Sequence, residues 1–238
     1  AVGVETRGGA FHAADFVVAA GDYHHMEQAL LDKAERNLTE EQWDRFTMSP
    51  SALVFFLGVS KRVAGLRHHN LFFDEPLDQH AREIYSEPRW PSRPLFYLCV
   101  PSVSDPSVAP AGCENLFVLM PLAAGLEDSD EMRERYYQTV MERIERRTGQ
   151  SIRDSVVVRR DYAMRDFERD YKSYKGNAYG LANTLFQTAV FKPPARSRRV
   201  DNLFFAGQLT VPGPGMPPAI ISGEIASRLI REQARGSS

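Results

Sequence analysis

Short, distinct patterns of apolar and polar positions divide the chain. Residues 2–6 and 10–12 flank Arg7-Gly8-Gly9, which reads as two short strands joined at a glycine turn, a hairpin. Residues 14–22 form a brief continuous apolar run ending at Gly21-Asp22, and helical spacing follows from His24 to Leu31. This predicts a buried strand feeding a helix, with Asp22 as its N-cap.

The middle has a different texture. Residues 51–59, 69–73, 94–103 and 115–122 are rich in Val, Phe and Leu, and prolines and glycines punctuate the intervals between them. An open antiparallel or mixed sheet is the assembly this predicts. Two helices are expected between the strands, over 75–87 and 129–149. In the second, Met132, Tyr136, Val140 and Ile144 recur every four residues and face inward. Glu131, Arg133, Glu134, Arg135, Glu142, Arg143, Glu145 and Arg146 then form a solvated face, and Gly149 caps the end.

Val156-Val-Val-Arg-Arg160 reads as a further strand, followed by an aromatic, charged stretch over 162–174 and a nearly uncharged one over 181–191. The tail runs from a strand over 200–207, through a turn rich in glycine and proline, into a helix from about Pro217 to Ala234. Strand, glycine turn and helix make a layout suited to cofactor binding, because glycines allow close approach of backbone and a helix N-terminus offers a positive dipole end. Any strand-to-helix turn can carry Gly and Pro, so this spacing alone leaves a purely structural role open.

Composition narrows the classes. Hydrophobic residues at 43% and charged residues at 25% are those of a globular protein of one or two domains. With 29 Lys and Arg against 31 Asp and Glu there is no basic field to attract nucleic acid, so no nucleic-acid partner is expected. Cys99 and Cys113 lie in apolar runs and read as inert core thiols. The longest apolar runs fall short of the roughly 20 residues that span a bilayer. Residues 1–10 show no targeting pattern, and without an initiator Met the chain reads as a fragment or a processed form.

Five ordered blocks carry a resemblance: His68-His-Asn-Leu-Phe-Phe73, residues 101–112, Asn115-Leu-Phe-Val-Leu-Met-Pro-Leu122, Phe167-Glu-Arg-Asp-Tyr171 with Gly176-Asn-Ala-Tyr-Gly-Leu-Ala182 and Leu185-Phe-Gln187, and Asn202-Leu-Phe-Phe-Ala-Gly-Gln208 with Pro212-Gly-Pro-Gly-Met-Pro-Pro-Ala-Ile-Ile-Ser-Gly223. In order and spacing they resemble the C-terminal part of bacterial and fungal type phytoene desaturases, carotenoid desaturases dependent on FAD. The resemblance implies an α/β (mixed α+β) fold: part of a two-domain oxidoreductase, with a sheet-based substrate domain and a partial Rossmann-like flavin domain. Residues 1–22 and 200–238 would belong to the flavin domain and 23–199 to the substrate domain, whose sheet would wall a long apolar tunnel. The Gly-x-Gly-x-x-Gly turn that seats the FAD pyrophosphate in that family does not occur here. The isolated chain is therefore expected to lack FAD and activity, and no catalytic residue is carried over.

By resemblance, Gly207, Gln208, Thr210, Gly213, Gly215, Met216 and Pro217 would pass the ribityl chain and the edge of the flavin ring. Tyr179, Gly180 and Leu181 match a block close to substrate and flavin, although a helix cap with core packing explains them as well. Leu209 departs from the small residue of many relatives. The substrate implied is a long apolar isoprenoid, from which a hydride and a proton leave. The implied setting is cytoplasmic and peripheral to a membrane, and uncovered strand faces at 16–20 and 203–206 favour self-association. The alternative is a non-catalytic module that binds an isoprenoid or a partner. No metal is expected: His24-His25 and His68-His69 are adjacent pairs, without the i, i+4 spacing that places two imidazoles on one helix face. A hydrolase is also disfavoured, because Ser102, Ser104 and Asp105 lack a Gly-x-Ser-x-Gly context.

Overall fold

The runs rich in Val, Phe and Leu in the middle segment become, in a computed structural model that describes residues 1–236, a five-stranded antiparallel sheet. Its strands β4 (Ser51–Val59), β5 (His69–Phe72), β6 (Phe96–Cys99), β7 (Glu114–Leu122) and β8 (Val156–Tyr162) lie in the order β5-β6-β7-β4-β8. The long central pair runs in register from Ser51 opposite Leu122 to Val59 opposite Glu114. Along β7 every second residue is buried, as expected of a strand with one face on a core.

That core gathers Leu53, Phe55 and Leu57 of β4 with Leu116, Val118 and Met120 of β7. Against them pack Tyr136, Val140, Met141 and Ile144 of helix α4 (Asp130–Thr148). Burying a side chain of this size contributes about 1.5–3 kcal/mol. The α4 boundaries follow from its capping residues. The Ser129 hydroxyl accepts from the Met132 N–H at 3.2 Å, and Gly149 adopts φ +68.

Two arginines expected on the solvated face of α4 are instead buried. Arg133 pairs with Asp128 at 2.5 Å and Asp166 at 2.7 Å. Arg143 bonds Asp74 and the Pro94 carbonyl, and its guanidinium lies 4.8 Å from the Phe96 ring centre. Helical spacing marks which residues turn inward, but it cannot show that a long cation will find carboxylates there. Helix α3 (Leu77–Tyr85) adds a buried histidine: His80 donates through Nε2 to the Pro121 carbonyl at 2.9 Å and accepts from the Leu95 N–H on Nδ1, also at 2.9 Å. These elements belong to one compact unit, Pro50–Phe167.

The other unit joins Ala1–Ser49 to Glu168–Ser238. It therefore contains residues 23–49 and 168–199 along with the two terminal segments. The expected hairpin is present as β1 (Gly3–Glu5) paired antiparallel with β2 (Phe11–Ala13). Strand β3 (Val17–Ala19) pairs in parallel with β9 (Leu203–Phe205), Val17 opposite Leu203. The helices are α1 (Tyr23–Leu30), α2 (Glu40–Asp44) and α6 (Met216–Gly236), and α5 (Met164–Tyr171) spans the boundary between units.

Asp22 caps α1, accepting from the His25 N–H at 2.9 Å. The core of this unit is Tyr23, Trp43, Leu181, Leu203, Phe205 and Leu209, with Tyr23 stacked on Phe205 at 3.8 Å. The 203–206 face is not left bare. Leu203, Phe204 and Phe205 are buried, and the backbone of 195–197 lies along the second edge of β9, the Phe205 N–H bonding the Ala195 carbonyl at 2.8 Å. Among the described residues, no helix is long and apolar enough to cross a membrane.

Candidate functional site

Where β9 ends, the sequence forces an irregular path. Gly207, Gly213 and Gly215 take φ of +122, +132 and +112, values that side chains disfavour, and the Val211–Pro212 bond is cis. Ordered side chains hold the turn on both flanks. The Gly207 N–H donates to the Ser222 hydroxyl of α6 at 2.7 Å, and the Thr210 hydroxyl donates to the Pro193 carbonyl, also at 2.7 Å. Leu209 points into the core, so the departure at this position serves as the anchor of the turn.

A fourth glycine at positive φ meets the turn. At Gly180, φ +87, a Cβ would lie 2.6 Å from the Gln208 carbonyl oxygen, so nothing larger fits. Asn177, fully buried, organises this contact: its Oδ1 accepts from the Gly180 N–H at 2.7 Å and from Gln208 Nε2 at 3.2 Å. Tyr179 is 42% exposed beside it, and Leu181 is buried and bridged to Met48. The residues singled out in the sequence thus come together from two distant stretches, 177–181 and 207–217. Tyr179, Gly180 and Leu181 lie in the same compact unit as the glycine turn.

The start of α6 is less rich in donors than its sequence suggests. Pro217 and Pro218 carry no N–H, and the Ala219 N–H bonds the Gly215 carbonyl at 2.9 Å. Gly215, Met216 and Pro217 are exposed, Met216 by 83%. Position, more than a row of amides, is what this end offers a ligand.

Sequence reasoning missed Lys192. It is only 4% exposed, its Nζ has no hydrogen-bond partner, and burial lowers its pKa from the ordinary 10.5. It lies directly behind the turn: a Cβ at Gly213 would lie 2.9 Å from its Cε and 3.1 Å from its Nζ. A buried ammonium without a partner costs several kcal/mol, so folds retain one where a ligand or reaction uses it. The only signal in the sequence was a single cation after a nearly uncharged stretch.

In the sheet unit, an apolar groove of about 320 Å³ is lined by Leu71, Phe73, Leu77, Ile84, Leu119 and Pro121. Beside it, sharing Leu71 and Phe73, a cavity of about 800 Å³ is lined by Arg67, Arg143, Arg146 and Arg147. The two cysteines are free and neither is fully buried, which corrects the expectation of core thiols.

A family model described as flavin containing amine oxidoreductase matches residues 1–231. A carotenoid 3,4-desaturase of Haloarcula japonica is 44% identical over 96% of this chain and 46% of its own length. A zeta-carotene-forming phytoene desaturase of Myxococcus xanthus is 30% identical over 94% of this chain and 44% of its own. A 4,4'-diapolycopene oxygenase of Methylomonas is 32% identical over 89% and 43%. The chain thus spans about half the length of the curated relatives it matches. Among solved structures, an oxidoreductase from Methanosarcina mazei shares the fold, with a TM-score of 0.52 at 12% identity over 95% of this chain and 45% of that one.

Proposed function

Because the chain belongs to the flavin containing amine oxidoreductase family, we propose that it forms part of an FAD-dependent carotenoid desaturase and that residues 207–217 seat the flavin. One observation carries the placement: a turn of three glycines at positive φ lies over a buried, unpartnered lysine. The donor set fits a flavin. Where a Cβ would project from Gly207 there is open space, so an incoming ring would meet backbone only, and Lys192, behind Gly213, would supply positive charge toward a reduced, anionic ring.

When bound, FAD would accept a hydride from an allylic carbon of a long polyene. The chain's residues would hold and orient. Gly207, Gln208, Thr210, Gly213, Gly215, Met216 and Pro217 would shape the seat, with the N-terminal end of α6 near the ring edge. Tyr179, Gly180 and Leu181 would set the neighbouring wall toward substrate. The apolar groove at Leu71, Phe73 and Leu77 suits a hydrocarbon, and the exposed Arg67, Arg146 and Arg147 beside it suit an anionic lipid surface, which supports a cytoplasmic protein resting on a membrane. The flavin domain would comprise residues 1–22 and 200–238, and the sheet would belong to the substrate domain.

The test uses the full-length protein, reconstituted with FAD and a C40 polyene. Gly207→Val and Gly215→Val each lose about 1–3 kcal/mol through positive φ alone. In the fraction that stays folded, both are expected to lose bound flavin and product together. Gly223→Val, on an exposed face of α6 with open space around it, is expected to keep both. Full flavin occupancy and turnover in folded Gly207→Val would remove the turn from the site.

A further inference from the structure

His68, His69 and Cys99 form a cluster that the flavin reading leaves unused. One ligand atom from each lies within 4.8 Å of the others. The sequence hides this arrangement because the two histidines are adjacent and the thiol is thirty residues away. The sheet brings them together, since β5 pairs with β6 in a register that sets His69 directly opposite Cys99. Opposed residues of neighbouring strands hold their Cβ atoms about 4.5–5.5 Å apart, close enough for one ion to reach both side chains. His68, one residue before β5, folds its ring to 4.3 Å from that of His69.

We propose that His68, His69 and Cys99 bind a zinc-class transition metal ion, with two imidazole nitrogens and one thiolate as ligands. Three features of the surroundings support it. The ligand types match: thiolate with imidazole selects zinc or its neighbours over magnesium and calcium, which take oxygen. Hydroxyls orient the rings, with His68 Nδ1 2.9 Å from the Ser104 hydroxyl and His69 Nδ1 2.6 Å from the Tyr97 hydroxyl. Such outer partners fix ring orientation in metal sites. Access is open, because His69 is exposed and the other two are half-buried, so an ion can enter from solvent and keep a water in the fourth position. On binding, the Cys99 thiol gives its proton to solvent and its sulfur becomes the anionic ligand.

The consequence would be local. β5 is a four-residue strand at the edge of the sheet, and the ion would clip it to β6, with the Ser104 hydroxyl steadying His68. This assignment is independent of the flavin.

The test titrates zinc chloride into the full chain by calorimetry in two buffers of different ionisation enthalpy. One equivalent is expected to bind with release of about one proton. Cys99→Ser is expected to weaken binding at least a hundredfold and to abolish proton release. Tyr97→Phe and Ser104→Ala, which keep all three ligands, are expected to weaken it by about 10–100-fold. Cys113→Ser should bind as the parent does. Circular dichroism confirms folding of each variant, and cobalt(II) provides a second reading through a thiolate charge-transfer band that vanishes in Cys99→Ser. Zinc affinity unchanged in folded Cys99→Ser, or dependent on Cys113, would overturn the site and leave an exposed imidazole pair only.

Discussion

In the sheet unit the buried charges have partners. Arg133 lies between two carboxylates, Arg143 meets Asp74 and a carbonyl, and the two ring nitrogens of His80 are both satisfied by backbone. In the unit of the glycine turn, Lys192 is buried as deeply and has none. The same contrast runs through the backbone. Nine consecutive residue pairs join β4 to β7 without a bulge, whereas the turn after β9 has positive φ at Gly207, Gly213 and Gly215 within nine residues. The unit of the glycine turn holds an uncompensated buried charge, the pattern expected where a ligand completes the structure.

The two tryptophans allow the contrast to be measured, since Trp43 lies in one unit and Trp90 in the other. The largest effect is expected in the sheet core. Phe55→Ala, at a fully buried position, should lower the stability read by Trp90 in a Trp43→Phe background by about 3–5 kcal/mol in urea. A loss below about 1 kcal/mol would mean that the core repacks around the gap.

Lys192→Met should act in the opposite direction. Replacing an unpartnered buried ammonium by an apolar side chain of similar length is expected to raise the stability read by Trp43 in a Trp90→Phe background by about 1–3 kcal/mol. Its pH dependence has a definite sign. With the folded pKa below 10.5, the unfolded chain binds the extra proton in the interval between the two values, so stability rises with pH there. Lys192→Met should lack that rise, and a parent curve that is flat toward pH 10.5 would show that the ammonium is not destabilising.

His80 gives the sheet unit a smaller pH effect, on the acid side. Burial lowers its pKa below 6.5, and a proton on Nδ1 would break the bond from the Leu95 N–H. The unfolded chain therefore takes up the proton first, and stability is expected to fall as pH drops below 6.5. His80→Gln should flatten that slope in the Trp90 signal. Ser129→Ala, which removes the cap of α4, should cost about 1 kcal/mol with no change in pH profile.

The regular parts of this fold were legible because they repeat. The ends of β4 at Ser51 and Val59, and the caps of α4 at Ser129 and Gly149, follow from run length and capping chemistry in the sequence. The glycine turn was visible as composition, and the strand-to-helix context made it a candidate. What the sequence could not show are encounters between distant residues. Gly180 pressed onto the Gln208 carbonyl, Lys192 behind Gly213, and Cys99 opposite His69 each depend on chain packing or strand register. The burial of Arg133 and Arg143 belongs to the same group, since a charged residue at an inward helical position is distinguished from a solvated one only by its partners.

If the turn over Lys192 seats the flavin, the amount of flavin that the full-length protein retains after desalting depends on this lysine. Three forms are compared: the parent, Lys192→Arg and Lys192→Met. Losing one charge-assisted bond in a buried site weakens binding by about 10–100-fold. Near-stoichiometric flavin is expected in the parent, intermediate retention in Lys192→Arg and little in Lys192→Met, even though Lys192→Met is expected to be the more stable protein. Stoichiometric flavin with an unchanged visible spectrum in Lys192→Met would contradict this placement of the flavin.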